Sequence, residues 1–144
     1  MSDPQSIATR LQRLSADDNF VQWMGVELVD VRVGHVEIQM TVREDHLNFR
    51  GWAQGGLLFS FADTAFGLAS NSHQHESVGI DAHIAFLSGV RLGDVLIATA
   101  TEVSRTKRKG VYRVDVTRKV DGVLIVTFTG TVLVTGKIWD QPTD

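Results

Sequence analysis

The chain of 144 residues contains no cysteine, and this absence removes disulfides, thiolate nucleophiles and cysteine-based zinc sites together. A reducing compartment is compatible with it. Proline occurs only at Pro4 and Pro142, so the interior has no proline-marked linker, and neither a repeat nor a low-complexity tract is present. Charge of one sign is scarce as well: a formal net charge of −3 provides neither a basic face for nucleic acid nor a polybasic membrane anchor. MSDPQSIATR lacks the charged-then-apolar order of a secretory signal, and no apolar run is long enough and uninterrupted enough to cross a bilayer. We therefore expect a cytoplasmic protein that engages neither nucleic acid nor membrane.

What is present points to one domain over 1–144, because 43% hydrophobic content in a chain of this length fills one core and is short for two. Ile7, Leu11 and Leu14 recur at helical spacing, and a second short helical piece from Asn19 to Met24 stops at Gly25. Period-two alternation then runs through Val29, Val31 and Val33, turns near Gly34, and resumes through Val36, Ile38, Met40 and Val42 as a hairpin. Four further alternating runs cover roughly 77–87, 94–104, 111–120 and 123–135, the last two joined by the tight-turn pair Asp121-Gly122. The expected parts are an N-terminal helical segment (1–24), a core (25–136) and a tail (137–144). An antiparallel sheet with one face to bury should curl around the one greasy helix available, which is an α+β architecture.

That helix is the centre of interest. The stretch from Asn48 to Ser72, NFRGWAQGGLLFSFADTAFGLASNS, reads as one long apolar helix holding a single acid, Asp63. A helix without a polar face must be wrapped by its domain, so the carboxylate is expected where an anion is costly. On a helical wheel, Gly56, Ser60, Asp63, Gly67, Ser70 and Asn71 share one stripe, as close approach by a ligand or a second helix would require.

These residues resemble a family. Asn48, Gly51, Gln54-Gly55-Gly56, then Asp63 eight residues after the first paired glycine, and Gly93-Asp94 at a later strand start, are similar to the pattern of the PaaI-type thioesterases of the hotdog fold. The resemblance implies an antiparallel sheet wrapped around a long central helix and hydrolysis of acyl-coenzyme A. It also implies no cofactor, coenzyme A being part of the substrate, and a homodimer with a continuous sheet, often paired into a tetramer. It assigns Gly55 N–H to polarise the thioester carbonyl, Asp63 to act as nucleophile or general base, and Asn48 to position substrate and nucleophile. Two departures stand out: Gln54 replaces the usual histidine with an amide that cannot titrate, and Ser88-Gly89 stands where an Arg-Pro pair is common.

Helix geometry adds an independent inference. At about 1.5 Å per residue, Gly55 and Asp63 lie about 12 Å apart along one helix, too far for both to address one carbonyl. A shared site would need Gly55 from one subunit and Asp63 from another, related by a twofold axis.

Other residues are candidates for substrate contact. Arg105, Lys107, Arg108 and Lys109 form a basic cluster suited to phosphates, or else a solvated hairpin turn; Arg50 is a further phosphate candidate. Gln54, Gly56 and Trp52, beside the catalytic loop, would line the substrate pocket. His73 and His75 are spaced for a metal, but lack the further ligands that one needs, so no metal is expected. Asp81 and His83 fall on one strand face, where they would meet each other or a dimer partner, a structural hydrogen-bonded pair being the expected arrangement. No G-x-S-x-G elbow or phosphate-binding Gly-Lys-Ser/Thr occurs. Two other readings remain: a hotdog hydratase or dehydratase using His83 or His46, and an acyl-coenzyme A-binding module without turnover.

Overall fold

The structure, a computed structural model, describes residues 3–139. Two helices lead: α1 (Pro4–Asp17), with proline at its first turn where no N–H is needed, and α2 (Asn19–Met24). Asp18 caps α2 by accepting from the Phe20 and Val21 N–H groups, both at 3.1 Å, and Gly25 closes it in the left-handed region at φ 78°. The hairpin of β1 (Glu27–Arg32) and β2 (His35–Thr41) turns at Gly34, as expected.

A single 3-10 turn (Glu44–His46) leads toward α3 (Gly55–Ser70), and β3 (His75–Phe86), β4 (Val95–Arg105), β5 (Lys109–Arg118) and β6 (Leu124–Ile138) follow. The six strands form one antiparallel sheet in the order β1-β2-β4-β5-β6-β3. α3 lies on its concave face with Phe61, Ala62, Ala65 and Ala69 fully buried against Ile38, Ala98, Val114 and Phe128 of the common core. This is the hotdog architecture. Among the described residues no helix is long and apolar enough to cross a membrane.

Three expectations need correction. The central helix does not begin at Asn48: residues 48–54 form a loop, because the Asn48 side chain accepts from the Arg50 and Trp52 N–H groups and Gly51 adopts φ 80°, so helical bonding starts only after Gln54. The β5–β6 connection is wider than a two-residue turn, with Lys119 to Gly122 lying between the paired Arg118 and Val123. The strand expected to stop before the tail continues to Ile138, and Trp139 folds back so that its indole N–H donates to Asn71 Oδ1 at 3.2 Å. Residues 1–2 and 140–144 of the N-terminal segment and the tail lie outside the described residues.

The sheet leaves room for its helix through a glycine. A Cβ on Gly130 would lie 2.7 Å from the Phe66 ring, itself held between Tyr112 and Phe128 at 6.0 and 5.4 Å between centroids. We expect Gly130→Ala to destabilise the fold by about 1–3 kcal/mol, because the new methyl would press on the packed rings of both Phe66 and Phe128. Urea unfolding measures it, and a midpoint equal to wild type would contradict it.

Candidate active site

At the N-terminal end of α3 the backbone donors are open. The Gln54 carbonyl accepts from Leu57 and Leu58 N–H at 3.0 and 3.2 Å, but its side chain caps nothing, and among the described residues no acceptor meets the N–H of Gly55 or Gly56. Two amides at the positive end of a sixteen-residue helix therefore face outward, an arrangement suited to a developing oxyanion. The loop that presents them is braced from behind. Gln54 N–H donates to the His46 carbonyl at 3.0 Å, Ala53 N–H to the Val90 carbonyl at 2.9 Å, and Leu47 bridges Ala53. Asn48 spends its Oδ1 on this loop, which leaves its amide N–H₂ group without an acceptor among the described residues. The Gln54 amide lies over Gly56, 2.6 Å from where a Cβ would be, and Phe86 sits 3.5 Å from the corresponding point on Gly55.

Two turns along α3, Asp63 departs from expectation. It was expected inside a wrapped helix, yet in the single chain it is exposed, because the sheet covers only one side of α3. The uncovered side is the small-residue stripe from Gly56 to Gly67, while Ser70 at its end is buried. Asp63 forms no salt bridge or hydrogen bond among the described residues, and lies in a groove of about 340 Å³ walled by Leu14 and Val21 on one side and Ser77 and Trp139 on the other. Those walls strip part of its hydration, which raises its pKa above the usual carboxylate range. Surface area and desolvation differ here because a carboxylate in a groove touches solvent on one side only.

The remaining candidates are dispersed. Trp52 lies beside the loop with the Arg91 guanidinium 3.9 Å over its ring, and a Cβ on Gly89 would come within 2.6 Å of that ring. The departure at Ser88-Gly89 thus has a local reason: a proline at Gly89 would collide with Trp52. Arg50 is exposed on the same loop. Arg105, Lys107 and Arg108 lie at the opposite end of α3, and they differ from one another. Arg105 turns inward and donates to the Ser70 carbonyl and the Tyr112 hydroxyl, both at 3.0 Å, while Lys107 and Arg108 stay exposed beside a cleft lined by His73, His75 and Thr135. Tyr112 in turn donates to Glu102 at 2.7 Å, and His73 bonds the same carboxylate oxygen, so burial and the neighbouring carboxylate raise the Tyr112 pKa. Asp81 and His83 are exposed on β3 and make no hydrogen bond to each other among the described residues.

Sequence reasoning missed several groove residues. Asn71, at the end of the stripe, locks Ser77 by accepting from its N–H at 2.8 Å and donating to its carbonyl at 3.1 Å. Trp139, assigned no role from sequence, lines the groove. Only the stripe position of Asn71 could have signalled its place.

Comparison with known proteins identifies the family and the fold. The family model described as Thioesterase superfamily matches residues 51–125, which contain both Gly55 and Asp63. The acyl-coenzyme A thioesterase PaaI of Escherichia coli is 35% identical over 100 residues, 69% of this chain and 71% of that one. The solved structure of the E. coli PaaI protein superposes with a TM-score of 0.90 at 28% identity, covering 95% of this chain and 99% of that one. A Streptococcus mutans protein solved with acetyl-coenzyme A bound gives a TM-score of 0.75 at 31% identity over 78% of this chain and 90% of that one. The family match over residues 51–125, the 35% identity to PaaI and the shared fold place this chain in the thioesterase superfamily, as a PaaI-type hotdog thioester hydrolase.

Proposed function

We propose that the protein hydrolyses acyl-coenzyme A thioesters to free acid and coenzyme A, at sites formed between two copies of the chain. One observation carries the reading: α3 presents two open N–H groups and an unpaired carboxylate on its uncovered side, about 12 Å apart along the axis. A second copy related by a twofold axis brings the donors of one helix to the acid of the other. The exposed edge strand β3, with Val78 and Ile80 about half exposed, supports the same assembly by continuing the sheet across the axis.

In the reaction the Gly55 N–H donates to the thioester oxygen as negative charge builds on it. Asp63 of the partner subunit takes a proton from water, and the hydroxide adds to the carbonyl carbon. Collapse of the tetrahedral intermediate breaks the C–S bond, and the thiolate leaves with a proton. A raised pKa makes the ionised Asp63 a better proton acceptor than an ordinary aspartate. The Asn48 amide N–H₂ is the group left to orient water or carboxylate. No metal or redox group enters this chemistry. A hydratase needs a histidine facing the donors, and His46 has already committed its Nδ1 to the Arg43 N–H at 3.0 Å.

The test is steady, saturable thiol release across a panel of acyl-coenzyme A substrates, with molar mass measured in parallel. Tight binding with no thiol release would replace the enzyme by a binding module. A dimer or a tetramer fits the proposal, and a monomer does not. The phosphates are assigned to Lys107 and Arg108. Lys107→Ala with Arg108→Ala should raise KM by about tenfold at low salt, less at high salt, with kcat little changed, because exposed charges act through a screened field. Arg105→Gln should instead lower stability, since it unpins the C-terminus of α3.

A further inference from the structure

A second cleft, of about 480 Å³, opens beside the donor amides, between α2 and the first turn of α3. Phe20, Trp23, Leu47 and Leu57 form its walls, and Gln54 and Gly56 its edge nearest the open N–H groups. Its lining suits an apolar group and not a phosphate, because Phe20, Trp23, Leu47 and Leu57 make up its walls and the nearby Arg43 guanidinium is already paired with Asp45 at the rim. A thioester held at Gly55 sends its two arms in different directions. The charged arm belongs with basic residues, and this cleft is the apolar space that adjoins the carbonyl site.

At the base of the cleft lies a side chain with an unmet bond. His46 is 2% exposed, and its Nδ1 accepts the Arg43 N–H at 3.0 Å, so the ring proton resides on Nε2. Nε2 is buried and finds no acceptor among the described residues. Native interiors rarely leave such a donor unanswered. Burial also lowers the His46 pKa, which keeps the ring in this neutral, donating form. Its neighbour Trp23 packs edge-on at 5.2 Å, and is itself 45% exposed, touching Phe20 at 5.6 Å between centroids. A cover that is half in solvent can swing aside as a ligand enters.

We propose that this cleft receives the acyl group of the substrate, and that His46 Nε2–H selects acyl groups with an apolar body and a hydrogen-bond acceptor at the far end. Residue 46 is then a specificity-determining contact, acting on substrate choice and not on the chemical step. The proposal rests on Gly55 holding the thioester carbonyl.

The test uses pairs of non-hydrolysable thioether conjugates of coenzyme A that differ only by a ketone carbonyl in place of a methylene near the acyl terminus. Binding is measured by calorimetry. Wild type should prefer the ketone by about tenfold, the size of one net hydrogen bond. His46→Asn, which keeps an acceptor for the Arg43 N–H and deletes Nε2–H, should bind both members equally, whereas His46→Gln, which keeps a donor near Nε2, should retain a preference. Trp23→Ala should weaken both conjugates several-fold. Equal binding of the pair by wild type, or an unchanged preference in His46→Asn, overturns the proposal; if neither His46 variant folds, unchanged affinity in Trp23→Ala does so. Because the conjugates cannot turn over, failure of the thioesterase reading appears separately, as absence of thiol release from the matching thioesters.

Discussion

Asp63→Asn is expected to lower thiol release from acyl-coenzyme A by about 10³-fold, with KM little changed and the fold at least as stable as wild type. The loss follows from deleting the proton acceptor while keeping the shape and polarity of the side chain. The stability follows from the sign of the pKa shift. The folded protein raises the Asp63 pKa, so it disfavours the ionised form relative to the unfolded chain. That contribution to stability is fully present below the ordinary aspartate range and is lost as pH rises through the raised value. Asparagine carries no such liability, so the variant's melting temperature should match wild type in acid and equal or exceed it near neutrality. The substitution should therefore move activity and stability in opposite directions. Rate assays and melting curves between pH 3 and pH 8, on the order of the carboxylate and imidazole ranges, check both halves. Near-wild-type turnover would discard Asp63 as the base.

Gly55→Pro should be nearly as damaging to turnover, by about 10²–10³-fold, for a reason confined to one hydrogen atom. Gly55 is the first residue of α3, where proline is well tolerated, and the preceding Gln54 already has φ −66° and ψ 137°, the extended geometry that proline demands of its predecessor. The substitution therefore removes the N–H and keeps the helix. Phe86, 3.5 Å from the position of the new Cβ, is in ordinary contact and not in its way. Mixing is the decisive experiment. When inactive Gly55→Pro and inactive Asp63→Asn chains are unfolded together and refolded, half the dimers hold one chain of each kind. In each of these, one site joins an intact Gly55 to an intact Asp63, so about a quarter of wild-type activity should return. If each site belonged to one chain, mixing would restore nothing.

How far the residues announce this protein depends on the range over which each feature is decided. The hairpin at Gly34, the end of α2 at Gly25 and the runs that became β3 to β6 are local: side chains alternate within a strand, and glycine closes a turn wherever the strand happens to lie. The paired glycines and the acid eight residues on were legible for the same reason, since helix spacing is known before the helix is packed. The head of α3 was misread because apolar composition says nothing of the Asn48 side chain bonding its own loop.

The side chains whose roles hinge on neighbours far along the chain were not legible. Arg105 looked like a surface cation and is turned toward Ser70, because the C-terminus of α3 ends beside β4 and leaves a carbonyl to be satisfied. His46 looked like a candidate catalytic histidine of a hydratase, and became a buried donor only when α2 was laid across it. Asp63 looked enclosed, because a greasy helix must be covered, yet the covering of its last side is not supplied by this chain's own sheet. The order of residues alone determined which groups the molecule owns and where along one helix the donors and the acid stand. Tertiary structure decided which of them remain open, because exposure is settled by elements that are distant in sequence and adjacent in space.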